Sequence, residues 1–186
     1  MEDERIIDLF WKRDEQAVYA AMGTYGDYCH VVASNVLSNP ADAEEAVADT
    51  WLRAWNSIPP QRPAHLKQYL AKITRGLALD IYRAQNAAKR GGGQVALALD
   101  ELAACLPAAG TPEREYDARE LEQTIAGFVK GLPARDRKVF VRRYFFLETA
   151  AQIGAQYGLR ESNVLMILSR TRKKLKQYLI KEGYDL

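Results

Sequence analysis

The feature that most constrains the fold is a stretch near the C-terminus, residues 149–179, which is typical of two helices joined by a tight turn. Small and apolar residues recur at helical spacing up to Tyr157, and Gly158 then supplies a residue that adopts positive φ and closes a helix. After it, Val164, Ile167 and Leu168 begin a second apolar stripe. This is the helix-turn-helix pattern, whose second helix fits the DNA major groove. An ordinary helical hairpin with a solvated basic face is the alternative, because short patterns of this kind occur by chance.

Charge is distributed in blocks along the chain, although the net charge of the 186 residues is only +2. Residues 1–60 carry a net charge of −7, residues 61–90 carry +6 and residues 149–186 carry +4. The two basic blocks predict two contacts with a polyanion such as DNA. The acidic block would repel DNA and therefore suits a protein partner.

The residues that catalysis and metal binding require are scarce. The chain has two histidines and two cysteines, and Cys29 and Cys105 show no metal-ligand spacing. The sequence contains no HExxH, phosphate-binding loop or nucleophile motif. We therefore expect no enzyme activity, no cofactor and no metal site. The cysteine usage, together with the lack of an apolar run of ~18 residues, predicts a soluble cytoplasmic protein.

Chain-breaking residues and hydrophobic periodicity predict an all-α chain of two domains, since no segment shows strand alternation. The expected helical zones are residues 2–37, 43–55 (starting from Asp42), 64–88, a second set from about residue 113, and 139–146. Residues 91–112, with three consecutive glycines and Pro112, predict a flexible linker. The expected domains are therefore residues 1–90 and 113–186.

Three segments carry a resemblance to a known family. NPADAEEAVADTWLRAWNSI (39–58) resembles the region 2 signature of the extracytoplasmic-function sigma factors of bacterial RNA polymerase. YLAKITRGLALDIYR (69–83) is similar to the helix of that region that faces the upstream promoter element. Residues 131–179 resemble region 4, which contains the helix-turn-helix. The resemblance implies a region 2-like helical bundle and a region 4-like domain joined by the flexible linker.

The resemblance also implies the partners: core RNA polymerase, contacted at its β′ coiled coil and β flap, promoter DNA, and an anti-sigma factor. In the family, the helix after the Asp-Ala-Glu motif docks on the β′ coiled coil. The residues that would present this contact are Asp42, Glu45, Asp49, Leu52, Arg53 and Asn56. Trp51 and Trp55 lie four residues apart and are better explained by core packing on the opposite stripe.

By resemblance, residues 58–65 form the loop that holds a flipped base of the minus-ten element, and the following helix contacts the same strand. Capture of unstacked bases requires a shaped surface with cations along the backbone. The candidate contacts are Gln61, Arg62, His65, Lys67, Tyr69, Lys72, Arg75, Arg83, Lys89 and Arg90. Tyr69 fits a core residue equally well, His65 fits an ordinary loop residue, and Arg83 fits a surface pair with Asp80.

The minus-thirty-five element would be read by the last helix. The candidate residues are Arg160, Glu161, Ser162, Asn163, Met166, Arg170, Arg172, Lys173 and Lys174. Arginine and asparagine read guanine and adenine edges, whereas the cations from Arg170 onward suit phosphate contacts. Leu165 and Met166 suit either thymine methyl groups or packing between helices. A helix-turn-helix regulator that acts without polymerase is the alternative function, but it leaves the acidic aromatic helix unexplained.

Overall fold

The computed structural model describes residues 2–86, 94–107 and 118–184. These residues form α-helices and no strand, which confirms the predicted all-α class. The helices are α1 Glu2–Trp11, α2 Gln16–Ser34, α3 Pro40–Ser57, α4 Leu66–Asn86, α5 Gln94–Ala103, α6 Ala118–Gly131, α7 Ala134–Tyr144, α8 Ala150–Tyr157 and α9 Glu161–Lys181. The chain divides into two compact units, residues 1–90 and 91–186.

The N-terminal unit is a four-helix bundle in which α3 packs against both α2 and α4. Its core includes Phe10, Ile58, Leu66 and Leu70, all fully buried. The expectation that the tryptophans pack inward holds for Trp51, which is 7% exposed. Trp55 lies at the edge of the core, with its ring centroid 6.2 Å from that of Phe10.

Two helix boundaries in this unit differ from the predictions. The zone 2–37 is divided at residues 12–15, where Arg13 takes a φ of 57° and Asp14 Oδ1 accepts a hydrogen bond of 2.9 Å from the Gln16 N–H. Helix α3 begins at Pro40 because Asn39 caps it, with Oδ1 accepting from the Ala41 N–H at 3.0 Å. Asparagine at the cap followed by proline in the first turn is a strong start signal.

The C-terminal unit packs α6, α7 and α8 against the long helix α9. Its core includes Val139, Ile153, Leu168, Leu175 and Leu179. Helix α7 starts directly after Pro133, so the predicted helix at 139–146 covers only its second half.

Helix α5 lies within the predicted flexible linker and belongs to the C-terminal unit. Val95, Ala98 and Cys105 are buried, and Cys105 joins the core of that unit. The prediction of a flexible linker therefore does not hold for residues 94–107. Their apolar residues recur at helical spacing and pack against the C-terminal unit. Residues 91–93 and 108–112 of the predicted linker lie outside the described residues.

Throughout the described part of the chain, no helix combines the length and the apolar character that crossing a membrane requires.

Candidate nucleic-acid and protein interfaces

The helix-turn-helix is built from α8, the turn at Gly158, and α9. Thr149 starts α8 with a capping box: its Oγ1 accepts from the Gln152 N–H at 3.2 Å, and Gln152 Oε1 accepts from the Thr149 N–H at 2.7 Å. Gly158 ends α8 with a φ of 64°. A Cβ on Gly154 would lie 2.6 Å from the Leu159 carbonyl oxygen, so the absence of a side chain there lets the two helices approach.

The first turns of α9 place one set of side chains inward and another in solvent. Val164, Ile167 and Leu168 are buried against the rest of the unit. The exposed residues among the minus-thirty-five candidates are Arg160, Glu161, Ser162, Asn163, Met166, Arg170, Lys173 and Lys174. Leu165 is 51% exposed and Met166 62%, so packing between helices does not explain either residue.

Arg172 is the exception among the minus-thirty-five candidates. Its Nη1 donates to Glu101 Oε2 at 2.9 Å and to Tyr144 Oη at 2.7 Å, and only a quarter of its side chain is exposed. Glu101 also accepts from Arg143 Nη2 at 3.1 Å. Burial raises the pKa of Tyr144 to about 12, while the hydrogen bond and charge of Arg172 act in the opposite direction. Arg172 thus ties α9 to α5 and α7, and its guanidinium is less available to a phosphate than the exposed cations of this helix.

The side chain of Arg170 forms an ion pair with a buried residue and is also partly exposed to solvent. Its Nη2 donates to Asp136 Oδ2 at 3.0 Å, and half of its side chain is exposed. The carboxylate of Asp136 is buried in the first turn of α7, so this ion pair fixes α9 relative to α7. Arg170 remains accessible to a phosphate, but with part of its charge already neutralised.

The loop that precedes α4 is held in place at two residues. The Tyr69 hydroxyl lies 2.8 Å from both Gln61 Oε1 and Ser57 Oγ, so Tyr69 is a half-buried support for the loop. Arg62 Nη2 donates to Asp8 Oδ1 at 2.6 Å. His65 and Gln61 are exposed, and neither belongs to the core.

The cations of α4 differ in how accessible they are. Lys67, Lys72 and Arg83 are exposed, and Arg83 forms a loose pair with Asp80 at 3.4 Å. Arg75 is half-buried, and burial together with the charge of Arg83 lowers its pKa. Arg75 is therefore the least accessible cation on this helix. The candidates Lys89 and Arg90 lie outside the described residues.

Five of the six predicted polymerase-binding residues are exposed on α3, and four of these form a continuous face. Glu45, Asp49, Leu52 and Asn56 follow each other at helical spacing and all are exposed, as is Arg53. Leu52 is 60% exposed, which places an apolar side chain at the centre of an acidic and polar stripe. Asp42 is half-buried and accepts a hydrogen bond of 2.9 Å from Gln85 Nε2, so it contributes less to this face.

Sequence reasoning missed the role of α1 in supporting the loop. Asp3 Oδ2 accepts a hydrogen bond from the Leu66 N–H at 3.1 Å, so a residue of α1 caps α4. The Asp3 carboxylate also accepts from the Tyr25 hydroxyl. Residues 3 and 66 are distant in sequence, and no local pattern could have indicated this contact.

An apolar groove of about 500 Å³ opens on the C-terminal unit between α5, α6 and α7. It is lined mainly by Leu102, Ile125, Val129, Phe140, Tyr144 and Phe145. Glu122, Lys130 and Arg137 add charged groups to its lining. The groove has the apolar character that a partner helix or strand requires.

Side chains of the metal-ligating types are dispersed in the described parts of the two units. No cluster of histidine, cysteine and carboxylate side chains that could hold a metal ion occurs among those residues. Cys29 and Cys105 are buried free thiols, and burial raises the pKa of each. Both thiols are therefore harder to ionise than an exposed cysteine.

Comparison with known proteins identifies two family domains in this chain. Residues 22–88 match Sigma-70 region 2, and residues 129–177 match Sigma-70, region 4. The chain is similar to ECF RNA polymerase sigma factor SigE of Mycolicibacterium smegmatis, with 26% identity over 87% of this chain and 61% of that protein. It is also similar to the probable RNA polymerase sigma factor RfaY of Xanthomonas campestris pv. campestris, with 25% identity over 80% of this chain and 37% of that protein. The chain thus spans less than two thirds of the length of both relatives.

Proposed function

Because the chain belongs to the extracytoplasmic-function sigma factors, we propose that it binds core RNA polymerase and directs promoter-specific initiation of transcription. In this proposal the N-terminal unit reads and opens the minus-ten element, and the helix-turn-helix reads the minus-thirty-five element. The chain itself is not an enzyme, since bond formation is carried out by the polymerase.

The observation that carries the proposal is the exposed face of α3. Glu45, Asp49, Leu52 and Asn56 line up on one side of the helix, whereas Ala46, Thr50 and Trp51 on the other side are buried. An apolar residue within an acidic stripe suits a basic protein surface, where Leu52 would gain burial and the carboxylates would gain cationic partners. A regulator that binds DNA alone has no use for such a face, because its charge repels DNA.

The minus-ten contact is supported by the loop before α4 and by the cations that follow it. Tyr69 and Asp8 hold Gln61 and Arg62 in the folded unit before DNA binds. A loop that is already ordered loses less conformational entropy on binding. Lys67 and Lys72 on the exposed side of α4 supply charge for the strand backbone.

The minus-thirty-five contact is supported by the start of α9. Arg160, Asn163 and Met166 are exposed on the first turns, as a recognition helix requires. Asn163 suits an adenine edge and Arg160 a guanine edge, while the side chain of Met166 suits a thymine methyl. Lys173 and Lys174, further along the helix, suit phosphates.

The apolar groove of the C-terminal unit is the surface we assign to the polymerase β flap. Phe140, Val129 and Ile125 give it an apolar floor, and the charged side chains at its margin suit a polar rim. This assignment keeps the polymerase contact away from Asn163, which stays available to DNA. An anti-sigma factor as a further partner is supported by the family resemblance alone.

The test is size-exclusion co-migration of the full chain with bacterial core RNA polymerase. We expect wild type to co-migrate in stoichiometric amount and Asp49→Arg to be weakened, because the new cation opposes the basic partner surface. Asp27→Arg is the matched control, since it reverses the charge of an exposed residue on α2. If wild type fails to co-migrate but binds DNA in a salt-sensitive way, the chain is instead a regulator that acts without polymerase. Equal weakening by both variants would reject the α3 face as the docking surface.

A further inference from the structure

Trp11 is the most exposed of the three tryptophans in this chain. It is the last residue of α1, and 42% of its surface is exposed. Trp51 is only 7% exposed, and Trp55 packs on Phe10 and lies 5.3 Å below the guanidinium of Arg13. Core packing thus accounts for the other two rings but leaves much of the Trp11 indole in solvent.

The partner of Trp11 is a residue of the loop before α4. The guanidinium carbon of Arg62 lies 5.9 Å from the centre of the indole, within the range of a cation–π contact. Arg62 is also paired with Asp8, three residues before Trp11 and on the same side of α1. Helix α1 thus presents a carboxylate and an aromatic ring to the same arginine.

A second pair of the same kind lies just after the loop. Lys67 Nζ lies 4.3 Å from the ring centre of Tyr28, which belongs to α2. The loop of residues 58–65 thus has one such contact within it, at Arg62, and a second just after it, at Lys67; in each a cation meets an aromatic ring from another helix. Aromatic rings beside cations are the typical composition of a surface that binds single-stranded DNA.

We propose that Trp11, together with Arg62, stacks on an unpaired base of promoter DNA beside the loop. The inference rests on the proposed sigma function, because only a melted promoter presents unpaired bases to this surface. Asp8 neutralises part of the charge of Arg62 and holds the guanidinium near the indole. Arg62 is therefore better suited to stack on a base beside Trp11 than to bind a phosphate. Every base has a π face, so the contact tolerates any sequence.

The experiment measures DNA binding by holoenzyme assembled from the full chain and bacterial core polymerase. The probes are a fluorescein-labelled pool of random-sequence single-stranded 20-mers and the same pool as duplex, with core polymerase alone as background. We expect Trp11→Ala to weaken single-strand binding about tenfold, equivalent to about 1.4 kcal/mol, and to leave duplex binding unchanged. Trp11→Phe keeps a ring and should remain within about twofold of wild type. Tyr19→Ala is the matched control, because it removes an exposed aromatic ring on α2 and should change neither affinity.

Four results would overturn the proposal. If Trp11→Ala still co-migrates with core polymerase and its affinity for single-stranded DNA is unchanged, the stacking contact is rejected but the proposed sigma function is not. An equal loss on both probes, or a loss of co-migration in Trp11→Ala and Trp11→Phe alike, would assign Trp11 a structural role. If wild type does not join core polymerase, the proposed sigma function fails and the stacking contact fails with it.

Discussion

Asp3 caps a helix that begins 63 residues later: its Oδ2 accepts a hydrogen bond of 3.1 Å from the backbone N–H of Leu66. The same carboxylate accepts from the hydroxyl of Tyr25 on α2. One side chain near the N-terminus therefore connects α1, α2 and the first turn of α4. Since α4 follows the loop proposed to contact DNA, the position of that loop depends on α1.

Asp3→Ala should lower the free energy of unfolding of the N-terminal unit by about 0.5–2 kcal/mol, the usual range for loss of a helix cap. All three tryptophans lie within residues 1–90, so urea unfolding followed by tryptophan fluorescence reports on this unit. Glu4→Ala is the control, because Glu4 is exposed on the same helix. A variant as stable as Glu4→Ala would show that the Asp3 contact does not stabilise the unit.

Gly76→Ala should stabilise the N-terminal unit by about 0.5–1 kcal/mol, because Gly76 lies inside α4 and, apart from the backbone of the helix itself, no atom is within 4 Å of the place where a Cβ would lie. The measurement is again urea unfolding followed by tryptophan fluorescence. The contrasting variant is Gly154→Ala, whose Cβ would meet the Leu159 carbonyl oxygen at 2.6 Å. We expect this second change to destabilise the C-terminal unit, seen as an earlier unfolding transition in far-UV circular dichroism. If both variants raised, or both lowered, the stability of their units, the space around each Cβ would not explain the effects.

Glu101→Ala should destabilise the C-terminal unit by about 2–4 kcal/mol, because it leaves the buried guanidinium of Arg143 without its carboxylate. The unfolding transition seen by circular dichroism should shift, while the tryptophan transition should not. Asp100→Ala is a close control, since Asp100 is the exposed neighbour on α5. If the two variants unfold together, the network around Glu101 does not hold α5 in place.

The stability of the C-terminal unit should fall as pH rises from 10 to 12. The pKa of Tyr144 is raised from 10.0 to about 12 in the folded state, so the folded form retains a proton that the unfolded form loses in this range. Below pH 10 the protonated Tyr144 contributes its full stabilisation of the folded unit, roughly 2 kcal/mol. This contribution is lost by about pH 12. The measurement compares the slope of unfolding free energy against pH in wild type and Tyr144→Phe. Identical slopes would exclude Tyr144 as the source, since the other tyrosines and the lysines are common to both proteins.

Asn163→Ala and Lys173→Ala should affect DNA binding by the holoenzyme in different ways. Loss of Asn163 should reduce discrimination between bases at one position by about 1–3 kcal/mol. Loss of Lys173 should weaken binding to all sequences and reduce the slope of log affinity against log salt concentration by about one. Selection of binding sites from a random duplex pool, followed by titration at several salt concentrations, measures both effects. A uniform loss in Asn163→Ala would identify that residue as a backbone contact instead.

The helix-turn-helix was predictable from the sequence because its determinants are local. Gly158 and the apolar stripe that begins at Val164 lie within a few residues of each other, and the structure has both in the expected roles. The start of α3 has an equally local signal in Asn39 and Pro40, although the start predicted from the sequence is Asp42. The partners of Arg172 were not predictable. Glu101 lies 71 residues away, and the sequence position of a single charged residue does not indicate which opposite charge it pairs with.

The position of Glu101 determines how this protein can be divided into working fragments. A C-terminal piece beginning at residue 113, as the breakers in the sequence suggest, would lack Glu101 and leave Arg143 buried without a counter-ion. A piece beginning at Gln94 would keep α5 and the complete ion-pair network. Expression trials, two-hybrid baits and isotope-labelled fragments should therefore begin before α5.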